Sequence, residues 1–386
     1  MVELPKVDVA VAGGGPVGCA LALALFESGV SVTRIAGEVA VADRPIALSH
    51  GSRLILERLG AWNSIRSSPI ETIHVSQQGF GRTVMRCAEI GLPALGYVAA
   101  YSELVEKLAV RTPAVAVTLE DWKTDGNEIV LRLSRGAEDV GMRARLLVLA
   151  DGGKSRGIEQ VKDYRQQAIV AEVMVERPRS GIAWERFTSE GPLALLPYGD
   201  RYALVWSMRP ISAGKLLGLS DRDFLERLRE AFGGRLGEFL TVSPRAVFPL
   251  SLRRGAVNPE PRVLAVGNAA QTLHPVAGQG FNLGLRDAAT LAEMLAKAEP
   301  GADFSPMVGE LLGKFAAWRA EDRSGVTRFT DSLVKLFGSH TPGVSLVRNF
   351  GLLLFDLSPA AKRALSRVSW GFAGRMPRLA RGLPLE

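Results

Sequence analysis

The chain has 386 residues, 47% hydrophobic and 23% charged, with 41 glycines and a formal net charge of +7. These figures describe an ordered globular protein of two or so domains and exclude a disordered or collagen-like chain. Two cysteines, Cys19 and Cys87, are too few for a disulfide framework or a Cys-rich zinc site. Four scattered histidines (His50, His74, His274, His340) offer no close pair for zinc or iron, so no metal ligand is assigned. No basic, apolar, cleavable leader is visible, and the apolar run Val17 to Phe26 is too short to span a bilayer; the expected location is cytoplasmic.

VDVAVA (7–12) predicts a strand ending at a glycine cluster, and residues 16–26 predict an Ala/Leu-rich helix. VSVTRI then predicts a second strand, which completes a β-α-β unit. Gly13-Gly14-Gly15-Pro16-Val17-Gly18 is G-x-G-x-x-G in that strand–turn–helix setting, which makes it a dinucleotide turn rather than a chance match. Gly13 permits the tight turn, Gly15 lets backbone approach a pyrophosphate, Gly18 allows close helix–strand packing, and Pro16 opens a helix whose positive end meets phosphate. An acid is expected at the end of the second strand to hold the ribose. Ala36 stands there; either Glu38, two residues on, substitutes, or the adenosine ribose is held differently.

Residues 49–62 and 101–110 read as helices, and AVAVTLED, NEIVLRLS and ARLLVLADGG as strands. After the last of these, Asp151-Gly152 suits close backbone approach to a cofactor. Gly153-Lys154-Ser155-Arg156-Gly157 formally matches a serine-hydrolase elbow, but Asp-Gly-Gly separates Ser155 from the strand and no oxyanion loop precedes it. Residues 168–248 read as strands with one helix near 221–232. PRVLAVGN (261–268) is again a buried strand, followed by a Pro/Gly loop, a helix over 282–297, and helical sequence to the end.

The block Gly267 to Ala288 points to a flavin. Asn268 at the strand end can bond a ribityl hydroxyl, and Gly278 and Gly280 allow backbone to lie against a flat ring. Asn282 begins a helix whose positive end stabilises the negative charge of a reduced flavin. The implied fold is α/β: a Rossmann-type FAD-binding domain (1–75, 98–165 and 255–335) with an inserted β-sheet substrate domain (76–97 and 166–254). A helical C-terminal segment (336–386) follows.

With these residues in place the chain resembles the para-hydroxybenzoate-hydroxylase-type flavoprotein monooxygenases, and within them the ubiquinone-biosynthesis hydroxylases. GGGPVG, DRPIALSHGSRLILERLGAW, ERFTSEGPLALLP, the 267–288 block and PRLARGLPL carry the resemblance nearly end to end. The segment Gly267 to Pro275 is most similar to the 2-polyprenyl-6-methoxyphenol hydroxylase branch. The resemblance implies that Arg44 contacts the flavin, that Asp151-Gly152 supports both cofactors, and that Pro275 to Asn282 (with Gln279 and Phe281) covers the isoalloxazine. It departs at Ala36 and at Ser102, where an arginine often faces the pyrophosphate.

The implied reaction is hydroxylation of a polyprenyl phenol: NAD(P)H reduces FAD, O₂ adds at flavin C4a, and the distal hydroperoxide oxygen passes to the ring. There is no second G-x-G-x-x-G, so the reductant is expected to dock transiently. His274 is the one histidine beside the expected ring position; it either assists proton transfer or bonds a loop. Trp184, Phe187 and the GPLALLP strand are expected to face the flavin. A reductase or hydroxylase acting on another aromatic or prenyl compound, and a non-catalytic scaffold in a quinone-biosynthesis complex, are the alternatives.

The last 56 residues hold eight Lys or Arg against three acids, an excess of five. After an apolar run through Leu357, Ser358-Pro359 can cap and start a helix, with Ala361, Leu365, Val368 and Phe372 on one stripe. That tail suits peripheral contact with an anionic bilayer and, equally, packing on the FAD domain with its charges in water. No nucleic-acid motif accompanies the charge.

Overall fold

The computed structural model describes residues 2–37, 43–77, 81–112, 114–154, 160–272, 279–297, 307–338 and 375–385. The strand Val7–Ala12 is apolar at nearly every position because it is buried on both faces, as a central parallel strand must be. It pairs in parallel with Val32–Ile35 on one side (Val9 opposite Val32) and with the end of Glu138–Leu149 on the other (Val9 opposite Leu146). Val263–Ala265 pairs in parallel beyond that, Val263 opposite Leu147, although 250 residues of chain lie between the first and last strands. Thr118–Asp125 and Glu128–Arg135 extend this eight-stranded sheet in antiparallel fashion. Helices Pro16–Glu27 and Gln279–Ala296 pack on it and on each other, with Leu21, Leu25, Leu285 and Leu291 in one apolar cluster.

A second, nine-stranded sheet runs in the order Gln271–Thr272, Ala246–Arg254, Gln160–Val175, Arg201–Met208, Pro192–Tyr198, Ile182–Phe187, Thr72–Gln77, Arg82–Arg86. Only Ile182–Phe187 and Thr72–Gln77 are parallel neighbours on this path. Helices Pro210–Leu217 and Asp221–Phe232 cover one face, burying Leu193, Leu195, Leu204, Trp206 and Ile169 against Phe224 and Leu228. The other face is half-buried and turns toward the first unit. Its Ala183 packs with Ile70, Leu95 and Val98, and its Leu252 packs with Leu283 of helix Gln279–Ala296.

Past the long helix Val308–Gly338, the described chain resumes at Arg375 and docks on the first unit. Arg375 lies 3.9 Å over the Trp318 ring, the Arg378 N–H donates to Glu293 at 2.7 Å, and Leu379 and Ala380 are buried. The expected amphipathic helix that starts at Ser358-Pro359 lies outside the described residues. Among the described residues no helix is long and apolar enough to cross a membrane.

Candidate active site

The glycine turn separates into three different constraints. Gly13 has φ +143°, and a Cβ there would stand 2.4 Å from the carbonyl oxygen of Ala150; Gly18 would place one 2.8 Å from the carbonyl oxygen of Gly13. Both are glycine because protein backbone occupies the side-chain space. Gly15 is unlike them. Its φ of −75° suits any residue, and the nearest atom to an added Cβ is the Tyr101 hydroxyl at 3.5 Å. The described residues leave that volume open.

Helix Pro16–Glu27 has no side-chain cap and no acid in its first turn. Helix His50–Arg58 is capped by Ser49 and helix Asp221–Phe232 by Ser220 with Asp221 and Asp223 beside it. The uncapped end therefore keeps its N–H donors and positive dipole for an anion. Tyr101 stands above it with Arg44 stacked 5.0 Å over its ring, and Phe281 meets the same ring edge-on. Burial pushes the Tyr101 hydroxyl upward and Arg44 partly offsets this, so it stays a neutral donor. Ser102, at the position where an arginine was the expected phosphate partner, donates to Asp43 at 2.5 Å.

The strand ends converge on this turn. Ala150 packs on Gly13 and Gly18, after which Asp151 accepts from the Gly153 N–H at 2.9 Å while Gly152 takes φ +78°. Gly267 (φ +58°) and Gly284 both press on Val17, which locks helix Gln279–Ala296 to helix Pro16–Glu27. Asn268 is exposed beside this contact, and among the described residues nothing lies within 4 Å of a Cβ at Gly280. The helix starts at Gln279, three residues before the expected Asn282. The Asn282 side chain turns into the protein: it accepts from Ser49 N–H (2.8 Å) and Ser52 hydroxyl (2.7 Å) and donates to Ala47 (3.2 Å). Glu38, Ser155, His274, Pro275 and Gly278 lie outside the described residues, as does the Gln279 side chain.

Sequence reading missed the support beneath these strand ends. Asp287 accepts from the Gly267 N–H (3.2 Å), Arg319 (2.7 Å) and Arg323 (2.8 Å), and Asp322 pairs with Arg319 and Arg286. All five charged residues are buried.

On the large sheet one expectation needs correction. Trp184 belongs to the helix-covered face, 5.9 Å from the Phe232 ring and 4.9 Å from His74. Alternation along Ile182–Phe187 puts Ala183, Glu185 and Phe187 on the face toward the first unit instead. Val75, Ala194, Val205 and Val170 lie in register with Glu185 on that face, all half-buried. His74 is thus remote from the site, with Arg235 3.3 Å from its ring; burial first, and then Arg235, lower its affinity for a proton.

An open volume at Gly15, an uncapped helix end, an exposed Asn268 and an open Gly280 on converging strand ends fit a flavin dinucleotide. The sequence family described as FAD binding domain matches residues 6–305. The chain belongs to this family. It is 35% identical to ubiquinone hydroxylase UbiL of Rhodospirillum rubrum over 98% of this chain and 93% of that protein. It is 30% identical to the 3-demethoxyubiquinol 3-hydroxylase of Escherichia coli over 94% and 98%. The solved structure of p-nitrophenol 4-monooxygenase PnpA from Pseudomonas putida shares the fold, with a TM-score of 0.78 at 19% identity, covering 97% of this chain and 100% of that one. FAD is the cofactor, and this family member is a flavin-dependent monooxygenase.

Proposed function

We propose that the protein hydroxylates a polyprenylated phenol in ubiquinone biosynthesis, using NAD(P)H and O₂. The observation that carries this reading is the apolar row Val75, Ala194, Val205 and Val170, held half-covered on a sheet face that meets the cofactor helix at Leu283. Such a row suits a hydrophobic ring better than a charged metabolite. Full-length similarity to two ubiquinone-pathway hydroxylases supports it.

FAD, once reduced, supplies the activation of oxygen. The chain's part is to bind, orient and exclude water. The Gly13–Gly18 turn and the end of helix Pro16–Glu27 take the pyrophosphate, and Glu38 takes the ribose. Arg44, Asp151-Gly152 and Asn268 hold the ribityl side, while Pro275, Gly278, Gln279, Gly280 and Phe281 cover the ring; Asn282 fixes the helix that carries them. His274 either assists proton transfer beside the ring or bonds a loop there. We assign residues 1–75, 98–165 and 255–335 to FAD and 76–97 with 166–254 to the substrate. We place the basic segment 336–386 at an anionic membrane surface near other enzymes of the pathway.

Purified protein is expected to be yellow with one FAD per chain, and a prenylphenol should stimulate its NAD(P)H oxidation and appear as hydroxylated product. Flavin-loaded protein that oxidises NAD(P)H no faster with any prenylphenol would return the scaffold reading. Full-length protein should also bind anionic vesicles at low salt and release them at high salt, since each basic residue contributes roughly 1 kcal/mol. Indifference to vesicles at low salt removes the membrane assignment.

A further inference from the structure

The phenol-binding face carries one carboxylate for which the fold has no use. Glu185 lies mid-strand with Val75 and Ala194 as its cross-strand neighbours. No hydrogen bond or ion pair reaches it among the described residues. The adjacent cation, Arg186, points to the opposite face and donates to the Ala231 carbonyl at 2.9 Å. The other titratable groups on this face are Tyr198, the Glu172–Arg201 pair, Tyr164 with Lys162 over its ring beside Leu252, and Cys87 in the cluster around Ala183. None of them acts on Glu185; burial alone lifts its carboxyl to about 7.

A second polar group on this face also lacks a partner. Gln77 stands opposite Phe187, one alternation along from Val75, and is only 9% exposed, yet its side-chain oxygen has no hydrogen-bond partner among the described residues. Two unpartnered polar groups in an otherwise apolar row are costly to keep unless a ligand completes them.

We infer that Glu185 is the base that takes the phenolic proton of the bound substrate, with Gln77 as the second polar contact to the ring's substituents. The inference rests on the phenol-hydroxylase reading. The phenol O–H bond breaks and its electron pair stays on oxygen, enriching the ring for attack by an electrophilic oxygen. A new O–H bond forms on the Glu185 carboxylate, and the proton leaves to water when product departs. A base that titrates near the working pH is the efficient choice for this transfer. Strand geometry places it: the same alternation that sends Trp184 under the helices sends Glu185 to the substrate.

The test is Glu185→Gln in the FAD-loaded enzyme with a short-chain prenylphenol. Expected results are unchanged FAD binding, a KM altered little, and turnover to product lower by roughly 10²–10⁴-fold, the usual worth of a general base. NAD(P)H consumption should divert to hydrogen peroxide. The wild-type rate should rise with pH through a midpoint near 7, and the variant should lack that limb. A fluorinated phenol that ionises by itself should restore the variant. Independently of activity, an infrared carboxyl band titrating near 7 should be present in wild type and absent in E185Q. An unchanged pH profile, no rescue, or loss of FAD by E185Q overturns the proposal. A wild-type enzyme that hydroxylates no phenol overturns the functional reading with it, whereas a wild-type enzyme matched by E185Q overturns this assignment alone.

Discussion

Gly15→Ala should weaken FAD binding by about 10–100-fold, and Gly15→Val should abolish it, while the apoprotein stays as stable as wild type. The methyl group is tolerated by the chain itself, since φ is −75° and the nearest atom lies 3.5 Å away. A Gly-to-Ala change at a compatible φ even stabilises by about 0.4–1 kcal/mol through the unfolded state. What the methyl meets is the pyrophosphate, and overpacking of that kind costs roughly 1–3 kcal/mol, or a factor of about ten for each 1.4. Gly13→Ala and Gly18→Ala should behave differently. There the new Cβ would strike backbone at 2.4 and 2.8 Å, so apoprotein stability and FAD affinity should fall together. Flavin fluorescence titration read beside thermal melts of the apoproteins separates the two patterns. Equal melting losses for all three variants would mean that Gly15 serves packing and not the cofactor.

Asp287→Asn should cost about 3–5 kcal/mol of folding stability, the usual penalty for leaving a buried ion partner uncompensated. The carboxylate answers Arg319, Arg323 and the Gly267 N–H, and both Asp287 and Arg319 are essentially inaccessible to solvent. Burial pushes the Asp287 carboxyl up, but Arg323 and Arg319 together outweigh it and hold it below the ordinary aspartate range. A folded-state value below the unfolded one means that its stabilisation is fully present above the ordinary Asp range near 4. It is lost as pH falls through the lower folded value. Urea midpoints of wild type should therefore owe no slope to this group between about pH 6 and 8 and drop in acid, with D287N lower throughout. Because a neutral amide with one acceptor oxygen cannot answer Arg319, Arg323 and the Gly267 N–H together, the strand end is held less firmly and the folded variant should also bind FAD more weakly. A variant within 1 kcal/mol of wild type, about a fivefold change in the folding constant, would show that the cluster is dispensable.

The contrast between these two sites marks where sequence was sufficient. The glycine turn was legible because its strand, turn and helix are adjacent in the chain and each glycine answers a local steric demand. Even so, only tertiary contacts reveal that Gly13 yields to the Ala150 carbonyl, some 130 residues away, while Gly15 meets nothing closer than 3.5 Å among the described residues. The buried cluster was invisible for the opposite reason. Asp287 reads as one more polar residue of an amphipathic helix, and its two arginine partners come 32 and 36 residues later on a different helix.

Residue type and spacing determined the dinucleotide-binding fold, the cofactor class and the strand character of the stretch that holds Ile182–Phe187, because hydrophobic period and turn chemistry act over a few residues. Alternation within that strand also implied that Trp184 and Glu185 point to opposite sides. Which side is the core was decided only when helices Pro210–Leu217 and Asp221–Phe232 covered one face and helix Gln279–Ala296 approached the other. Period two fixes relative faces but carries no sign. The aromatic residue that looked like a substrate contact became core, and the acid beside it came to face the substrate.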